Sequence, residues 1–306
     1  MIIKNNTLFQ IEPGDIASDG KLVVPFGVQI IAADACANVS QITSVILPHT
    51  IKLISTNAFQ NCSCLETINF PNSLVQIGAS AFLNCQSLKN VILPDSVTQI
   101  GCDAFSKCIN LQNVVLSKNL SGINHGVFHG CMNLTHVEIL NGPAYIEQFA
   151  FGSCFKLKEI EMPDSIKEIR HYAFDNAGIE KVKLPRNLEK IGTGTFRGCK
   201  SLKDIVIPDF VKEIGMEAFY GCKSLKSVIV SNNVEHIKAH TFMDCKALQR
   251  VVVSENTTIQ ATAFQNCPKK MAVERIPIKS KADELFNAAV NSKMSDATPC
   301  SDEPER

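Results

Sequence analysis

The sequence predicts a solenoid in which about eleven coils of 22–23 residues stack along one axis. Three observations predict this fold. A phenylalanine recurs every 22 or 23 residues, a cysteine follows most of these phenylalanines by three residues, and a short apolar strand pattern precedes each of them. The recurring phenylalanines are Phe59, Phe82, Phe105, Phe128, Phe151, Phe174, Phe196, Phe219, Phe242 and Phe264. A single coil cannot bury its apolar residues alone, so the coils must stack.

Each coil begins with a predicted strand, and residues 88–108 give a clear example. Leu88, Val91 and Leu93 are apolar at offsets 0, 3 and 5, which is the strand rhythm of leucine-rich repeats. Since side chains alternate along a strand, Val91 and Leu93 both point into the coil. Pro94 ends the strand because it fixes its backbone angle and donates no hydrogen bond. The stacked strands are expected to form a curved parallel sheet.

The second half of the coil predicts a second row of short strands and a tight turn. Val97 and Ile100 form a second apolar pair after the strand. Gly101 follows and permits a tight or left-handed turn. The few residues between Gly101 and Cys108 suit a single turn of α-helix or 3₁₀-helix. Phe105 lies within this turn and is expected to fill the wide end of the coil.

The two ends depart from the repeat. We expect residues 1–24 to form an N-terminal cap and residues 25–276 to form the repeats. The first coil is degenerate, because Cys36 stands where a phenylalanine is due and Val39 where a cysteine is due. Residues 277–293 predict a C-terminal capping helix with apolar residues on one side. Residues 294–306 are polar and acidic, which predicts a disordered tail.

The chain has 13 cysteines, and their placement follows the repeat. Residues 1–10 show no basic start followed by a long apolar stretch, so no secretory signal is recognised. Disulfides between neighbouring coils are within reach at a spacing of about 4.8 Å, but parallel side chains argue against them. The cysteines are therefore predicted to be reduced, buried and packed as small apolar groups. Nine follow the recurring phenylalanines: Cys62, Cys85, Cys108, Cys131, Cys154, Cys199, Cys222, Cys245 and Cys267.

The repeated pattern C-x-x-L-x-x-V-x-L-P-x-x-V-x-x-I-G-x-x-A-F-x-x-C resembles the BspA-like leucine-rich repeats, also called the Treponema pallidum type. It recurs over residues 25–276. The resemblance implies a leucine-rich-repeat solenoid. Members occur in surface proteins of mucosal bacteria and in protozoan parasites, where they are linked to adhesion, matrix-protein binding and other protein contacts. This chain shows neither a signal peptide nor an anchor, which leaves room for an intracellular adaptor or a translocated effector of a host-associated microbe.

Composition and motifs argue against several other function classes. The 30 basic and 30 acidic residues balance, so no global field favours nucleic acid. No segment reaches 18 uninterrupted apolar residues, so membrane insertion is not expected. No motif of catalysis or nucleotide binding is recognised, so we expect no enzyme, no cofactor and no catalytic residue. The expected location is cytoplasmic, or secreted without a cleavable signal peptide.

A histidine-rich stretch is the sequence's strongest candidate for a metal site. His125 and His129 lie on either side of Phe128, close to Cys131, and His136 follows on the next strand. A metal would need these side chains to converge. The repeat frame places them on a turn and on a strand instead, so no metal site is expected.

The exposed positions of the predicted strands are the expected binding surface. The row through Ile92 has a charged middle between apolar flanks, the row through Asn90 is polar, and two interpretations of the apolar flanks remain open. The apolar residues form a partner site, or they only suit strands. The predicted function is a non-enzymatic module that binds a protein partner through its concave sheet, with a monomer favoured; the alternative is a structural or self-associating surface or adhesion protein. The predicted partner-binding residues are Ile92, Val115, His136, Glu138, Glu159, Glu161, Lys181, Lys183, Asp204, Val206 and Ile229.

Overall fold

The computed structural model describes residues 1–277, and these residues form a parallel β-solenoid. The strands are β1 (Ile2–Lys4), β2 (Thr7–Gln10), β3 (Lys21–Val23), β4 (Ile30–Ile31), β5 (Ser44–Ile46), β6 (Leu53–Ile54), β7 (Thr67–Ile68), β8 (Gln76–Ile77), β9 (Asn90–Ile92), β10 (Gln99–Ile100), β11 (Asn113–Val115), β12 (His136–Glu138), β13 (Tyr145–Ile146), β14 (Glu159–Glu161), β15 (Glu168–Ile169), β16 (Lys181–Lys183), β17 (Lys190–Ile191), β18 (Asp204–Val206), β19 (Glu213–Ile214), β20 (Ser227–Ile229), β21 (His236–Ile237), β22 (Arg250–Ser254), β23 (Thr258–Ile259) and β24 (Ala272–Ile276).

The strands stack in two rows, one per side of the coil. The long-strand face consists of β3, β5, β7, β9, β11, β12, β14, β16, β18, β20, β22 and β24. The short-strand row consists of β2, β4, β6, β8, β10, β13, β15, β17, β19, β21 and β23, with a parallel bridge from Ile123 to Ile146 at the coil that has no short strand. About twelve coils are therefore present, one more than the sequence pattern predicts.

The additional coil comes from the N-terminal segment. In β2, Leu8 pairs with Ile31 of β4, and in β3, Leu22 pairs with Val45 of β5, both in parallel register. Residues 1–24 therefore already contribute to both rows. They also cover the end of the short-strand row, because β1 pairs antiparallel with β2. The sequence pattern did not reveal this coil because the coil contains none of the recurring phenylalanines.

The register places each residue beside its equivalent in the next coil. In β11, Asn113 pairs with Asn90 on one side and with His136 on the other. Each position of the repeat consequently forms a row along the solenoid. A row is either interior or exposed throughout most of its length, which separates the positions that build the core from those that can bind a partner.

The interior contains a continuous stack of phenylalanine rings. From Phe59 to Phe264, neighbouring rings are 5.2–5.8 Å apart between centroids and at most 16° from parallel. Phe59 to Phe242 are fully buried, as predicted. In the first coil Cys36 occupies the phenylalanine position, since its carbonyl accepts the same hydrogen bond as that of Phe59.

The nine cysteines that follow the recurring phenylalanines are called the ladder cysteines. Their predicted packing role is confirmed, and the structure adds a second role. The Cys131 thiol donates to the carbonyl oxygen of Phe105 in the preceding coil, with 3.2 Å between sulfur and oxygen. All the cysteines of the described residues are free. Burial raises the pKa of Cys62 and of Cys108 to about 12, so these thiols stay protonated and keep donating. The same thiol-to-carbonyl contact is made by Cys62, Cys85, Cys108, Cys154, Cys199, Cys222, Cys245 and Cys267.

The segment predicted as a helical turn is instead a series of tight turns. The amides of Asn57 and Phe59 donate to Ala79 and Ala81 of the next coil, whereas the amide of Ala58 donates back to Ser55. Over residues 1–277 the single 3₁₀ segment is Pro13–Asp15. Alternate amides thus pair between coils, which a helix would prevent because its amides pair within the segment.

Left-handed backbone occurs at two positions in most of the turns, and neither is the position of Gly78 and Gly101. Ser80 and Asn84 of one coil have φ of 53° and 62°. Gly78 is not left-handed. It is required by space, because a β-carbon there would lie 2.5 Å from the amide nitrogen of Thr56 in the neighbouring coil. Of the tight or left-handed turn predicted at Gly78 and Gly101, the structure therefore shows the tight alternative.

Two coils are shorter by a residue, those ending at Phe196 and Phe264, and a glycine accommodates the first deletion. The loss falls between Ala177 and Ile179, since the equivalent residues in the preceding coil are Cys154 and Leu157. A β-carbon on Gly178 would lie 2.0 Å from the carbonyl oxygen of Phe155. The pairing of β14 with β16 stays in register despite the deletion. The capping helix predicted for 277–293 and the tail predicted for 294–306 lie outside the described residues, apart from Pro277.

Candidate functional site

The long-strand face presents the predicted binding residues at its surface, with a gradient in exposure. Ile92 is 64% exposed. Val115, Asp204, Val206 and Ile229 are half-buried. The six charged or polar residues between them are all exposed: His136, Glu138, Glu159, Glu161, Lys181 and Lys183. The row through Ile92 is not exposed along its whole length, because its member on β22, Val252, is only 2% exposed.

The charged side chains in the middle of this face are not paired with one another. In register, Glu159 of β14 lies beside Lys181 of β16, and Glu161 lies beside Lys183. Within the part of the chain that the structure describes, these four side chains form no hydrogen bond and no ion pair within 4.0 Å. The pKa of Asp164 is lowered mainly by the hydrogen bond that it accepts from the Arg186 amide, and Lys183 contributes least.

Charges on the short-strand row are arranged differently. Glu213 accepts hydrogen bonds from Lys190 and Lys238 in the two neighbouring coils, at 2.8 and 2.6 Å. These two lysines lower the pKa of Glu213 to about 2. Arg170 likewise bridges Glu147 and Glu168. The charges of the short-strand row therefore stabilise the stack, whereas those of the long-strand middle remain available to a partner.

The N-terminal part of the long-strand face carries an open depression of about 520 Å³. Its lining includes Lys21, Ile46 and Asn69 of three successive coils. Of its apolar lining residues, Ile46 is exposed. This depression is separate from the charged middle and adds an apolar part to the same face.

The histidine-rich stretch does not converge on one point. His136 is exposed on β12, and the Cys131 thiol points to the Phe105 carbonyl in the interior. His125 and His129 both contact the ring of Phe149 edge-on, at 6.1 and 5.7 Å. Among residues 1–277 there is no group of three or more potential metal ligands.

An aromatic array on the turn side of the coil was missed by the sequence analysis. Phe149 and Tyr172 occupy left-handed positions with φ of 55° and 56°, where bulky residues are uncommon. Their rings stack at 5.3 Å. The Arg197 guanidinium lies 5.8 Å from the Tyr172 ring and 5.9 Å from the Tyr220 ring. The signal in the sequence was the replacement of Asp, Asn or Gly by an aromatic residue at a left-handed position.

Two titratable side chains next to this array have a buried polar atom without a hydrogen-bond partner. They are His129, through Nδ1, and Asp175, through Oδ1. Burial lowers the pKa of His129 and raises the pKa of Asp175. His129 Nδ1 packs against Gly152, where a β-carbon would lie 2.7 Å away. Both side chains are half-buried in the turns, and Asp175 Oδ1 lies 3.8 Å from the Arg197 guanidinium.

The fold and repeat pattern define the class of protein. The family model for the BspA type leucine rich repeat region matches residues 29–154 and 144–271, in six copies. The chain belongs to this family of leucine-rich repeat proteins. Such proteins are typically non-enzymatic and serve in protein interaction or at surfaces. No curated protein matches the chain.

The chain is similar to several solved structures. A leucine-rich repeat protein from Bacteroides ovatus is 24% identical, with 84% of this chain and 83% of that chain covered and a TM-score of 0.53. A T. pallidum leucine-rich repeat protein is 24% identical, with 71% and 88% covered and a TM-score of 0.39. A leucine-rich cell surface protein from Faecalibacterium prausnitzii is 23% identical, with 80% and 92% covered and a TM-score of 0.40. Within residues 1–277, no helix is long and apolar enough to span a membrane.

Proposed function

We propose that this protein is a non-enzymatic binding module that recognises a protein partner through the long-strand face. The observation that supports it most is the charged middle of that face, where Glu159, Glu161, Lys181 and Lys183 are exposed and have no ion pair among the described residues. Exposed, uncompensated charges of both signs side by side favour a partner with the complementary arrangement, because charge complementarity sets register and excludes other partners.

The apolar positions on either side of the charges extend the proposed surface. Ile92 on β9 is exposed, and Val206 on β18 is half-buried. A central polar recognition element between apolar contacts can combine specificity with the release of water from apolar surface. The proposed partner is therefore a folded protein or an extended segment with acidic and basic groups about 5 Å apart, which is the spacing between neighbouring strands.

A charge exchange tests the proposal. The variant Glu161→Lys with Lys183→Glu keeps the net charge but inverts the pattern of the face. The matched control is Glu189→Lys with Lys212→Glu, a pair of exposed residues in neighbouring coils outside the long-strand face. Affinity capture followed by mass spectrometry should recover proteins with the wild type and the control that the exchanged variant loses. Equal recovery with all three chains would contradict the proposal.

Self-association is the second candidate function, and one observation favours it. The strand β1 lies at the edge of its sheet, and Ile2 and Ile3 on it are exposed. An unpaired edge strand can pair with a second copy. Light scattering after size-exclusion chromatography decides between the two: we expect a monomer across the accessible concentration range. A dimer that Ile3→Lys dissociates would support self-association instead.

The family suggests a biological setting for the proposed function. Members at cell surfaces make a host-interaction or effector role the natural biological setting for such a module. We therefore propose that the partner is a protein rather than a nucleic acid, in line with the balanced charge of 30 basic and 30 acidic residues.

A further inference from the structure

A third exposed row runs along the corner between the turn side and the long-strand face. It contains the residue that follows the ladder cysteine in each coil, and we call it the corner row. From the coil of Phe105 onward, its members are Ile109, Met132, Phe155, Gly178, Lys200, Lys223 and Lys246. The row thus changes along the axis from apolar side chains, through a glycine, to three lysines.

Backbone hydrogen bonds show that the members of the corner row are stacked neighbours. The amide of Asn133 donates to the carbonyl of Ile109, and that of Lys156 to the carbonyl of Met132, at 3.1 and 3.3 Å. The amide of Ser224 donates to the carbonyl of Lys200 at 3.1 Å. Side chains of the row are therefore separated by about one coil spacing, roughly 4.8 Å.

The apolar end of the row is exposed to an unusual degree for large side chains. Met132 is 42% exposed and Phe155 is 50% exposed. Phe155 is also outside the stack of buried phenylalanines, so the core does not require it. Adjacent exposed apolar side chains bordered by charges are typical of an interaction surface.

The basic end of the row has charges that the described residues leave uncompensated. Lys200 and Lys223 are exposed and form no ion pair with any residue in the range 1–277. Lys226, close to Lys223 in sequence, is exposed and unpaired within the same range. Lys246 does have a partner, since its ammonium lies 2.8 Å from the Asp244 carboxylate. The free charge is therefore concentrated one and two coils beyond Gly178.

Gly178 leaves the middle of the row without a side chain. The one-residue deletion brings it against the Phe155 carbonyl, where a β-carbon would lie 2.0 Å from the oxygen. Between Phe155 and Lys200 the row therefore has no side chain, so a chain lying along the row meets none there. From Met132 to Lys246 there are five coil steps, about 24 Å, which an extended peptide covers with roughly seven or eight residues.

We propose that the corner row binds an extended peptide segment of a protein partner, with apolar side chains over Met132 and Phe155 and carboxylates over Lys200 and Lys223. The apolar contact supplies burial and the carboxylates fix the direction of the segment. This site is separate from the charged middle of the long-strand face, and each proposal can fail without the other.

The test uses the full-length chain and a labelled eight-residue peptide with two leucines at one end and four glutamates at the other. Fluorescence anisotropy measures its binding beside a peptide of the same composition with leucines and glutamates interleaved. We expect the segregated peptide to bind about tenfold more tightly than the interleaved one, a difference of about 1.4 kcal/mol. Both orientations are tested, with leucines at either terminus, and the tighter one reports the direction of the bound segment.

Matched variants locate the binding. Lys200→Glu with Lys223→Glu should weaken the segregated peptide about tenfold or more, and Met132→Ser with Phe155→Ser should do the same. The controls are Lys167→Glu with Lys212→Glu, and Phe210→Ser with Met216→Ser, which change exposed residues of the same types elsewhere. The controls and the exchange of Glu161 with Lys183 should leave peptide binding within about twofold. All substituted side chains are exposed, so the variants are expected to fold, and circular dichroism verifies this.

Three results would overturn the proposal. The interleaved peptide binds as tightly as the segregated one, or the control variants weaken binding as much as the corner-row variants. The third is that heparin binds as tightly as the peptide and is weakened by the lysine changes but not by Met132→Ser with Phe155→Ser. That last outcome would identify the lysines as a general polyanion site instead of part of a peptide site.

Discussion

The phenylalanine stack and the corner row are both ladders with one residue per coil, yet they differ in what they tolerate. Interior positions from Phe59 to Phe264 hold the same residue in ten successive coils, with rings 5.2–5.8 Å apart. Corner-row positions change from Met132 to Gly178 to Lys200 within three coil steps. The interior fixes residue type because close packing leaves no alternative shape. The exposed rows are free to vary, so their variation carries the information about binding.

The largest effect should follow from removing one ring of the stack. Phe151 lies 5.6 Å from Phe128 and 5.4 Å from Phe174, between ring centroids. Phe151→Ala should lower the free energy of unfolding by about 3–5 kcal/mol, because it leaves a cavity between two rings. Phe155→Ala is the matched control and should change it by less than about 0.5 kcal/mol. Urea unfolding followed by circular dichroism measures both, and similar losses would erase the distinction between interior and corner rows.

A smaller effect is expected at Gly178, in the first of the two short coils. Gly178→Ala forces a β-carbon against the Phe155 carbonyl oxygen and should destabilise the fold by roughly 1–3 kcal/mol. Gly14→Ala is the control, because no atom lies within 4 Å of a β-carbon there. Thermal unfolding compares the two variants. If Gly178→Ala were as neutral as Gly14→Ala, the deletion would not depend on a glycine.

Removing one ladder thiol should have a still smaller effect. Cys131→Ala loses the donor to the Phe105 carbonyl and a small buried volume, so we expect about 1 kcal/mol of destabilisation. Cys64→Ala serves as the control because Cys64 is exposed. Reaction with a thiol reagent provides an independent check: the exposed Cys64 and Cys102 should react in the folded protein, whereas Cys131 should react only after unfolding. Fast reaction of Cys131 in the folded state would contradict its interior position.

The smallest expected effect concerns Asp175, a charged residue in a half-buried turn position. Burial raises its pKa above the unfolded value, so the ionised form opposes folding at neutral pH and the protonated form at low pH does not. Asp175→Asn should therefore raise the unfolding midpoint by about 2 °C at pH 7 and leave it nearly unchanged near pH 3. An equal gain at both pH values would show that packing, not charge, is responsible.

The sequence could predict the rows but not how the residues within them interact. The period placed Cys131 in the interior and Glu161 at the surface, since row membership follows directly from the repeat. It did not show that Glu213 is held by Lys190 and Lys238 while Lys181 is unpaired among the described residues. Ion pairing depends on how side chains orient across neighbouring coils, and the spacing of residues along the chain does not contain that information.

The sequence by itself determined the solenoid, the family, the phenylalanine stack and the residues of the long-strand face, because each follows from one repeated period. The tertiary structure decided the rest. It showed that Gly78 serves the close approach of two coils without left-handed backbone, and it placed Phe149 and Tyr172 in left-handed turns. It also brought Gly178 against Phe155 and so divided the corner row. These features depend on distances between coils, which exist only once the coils have stacked.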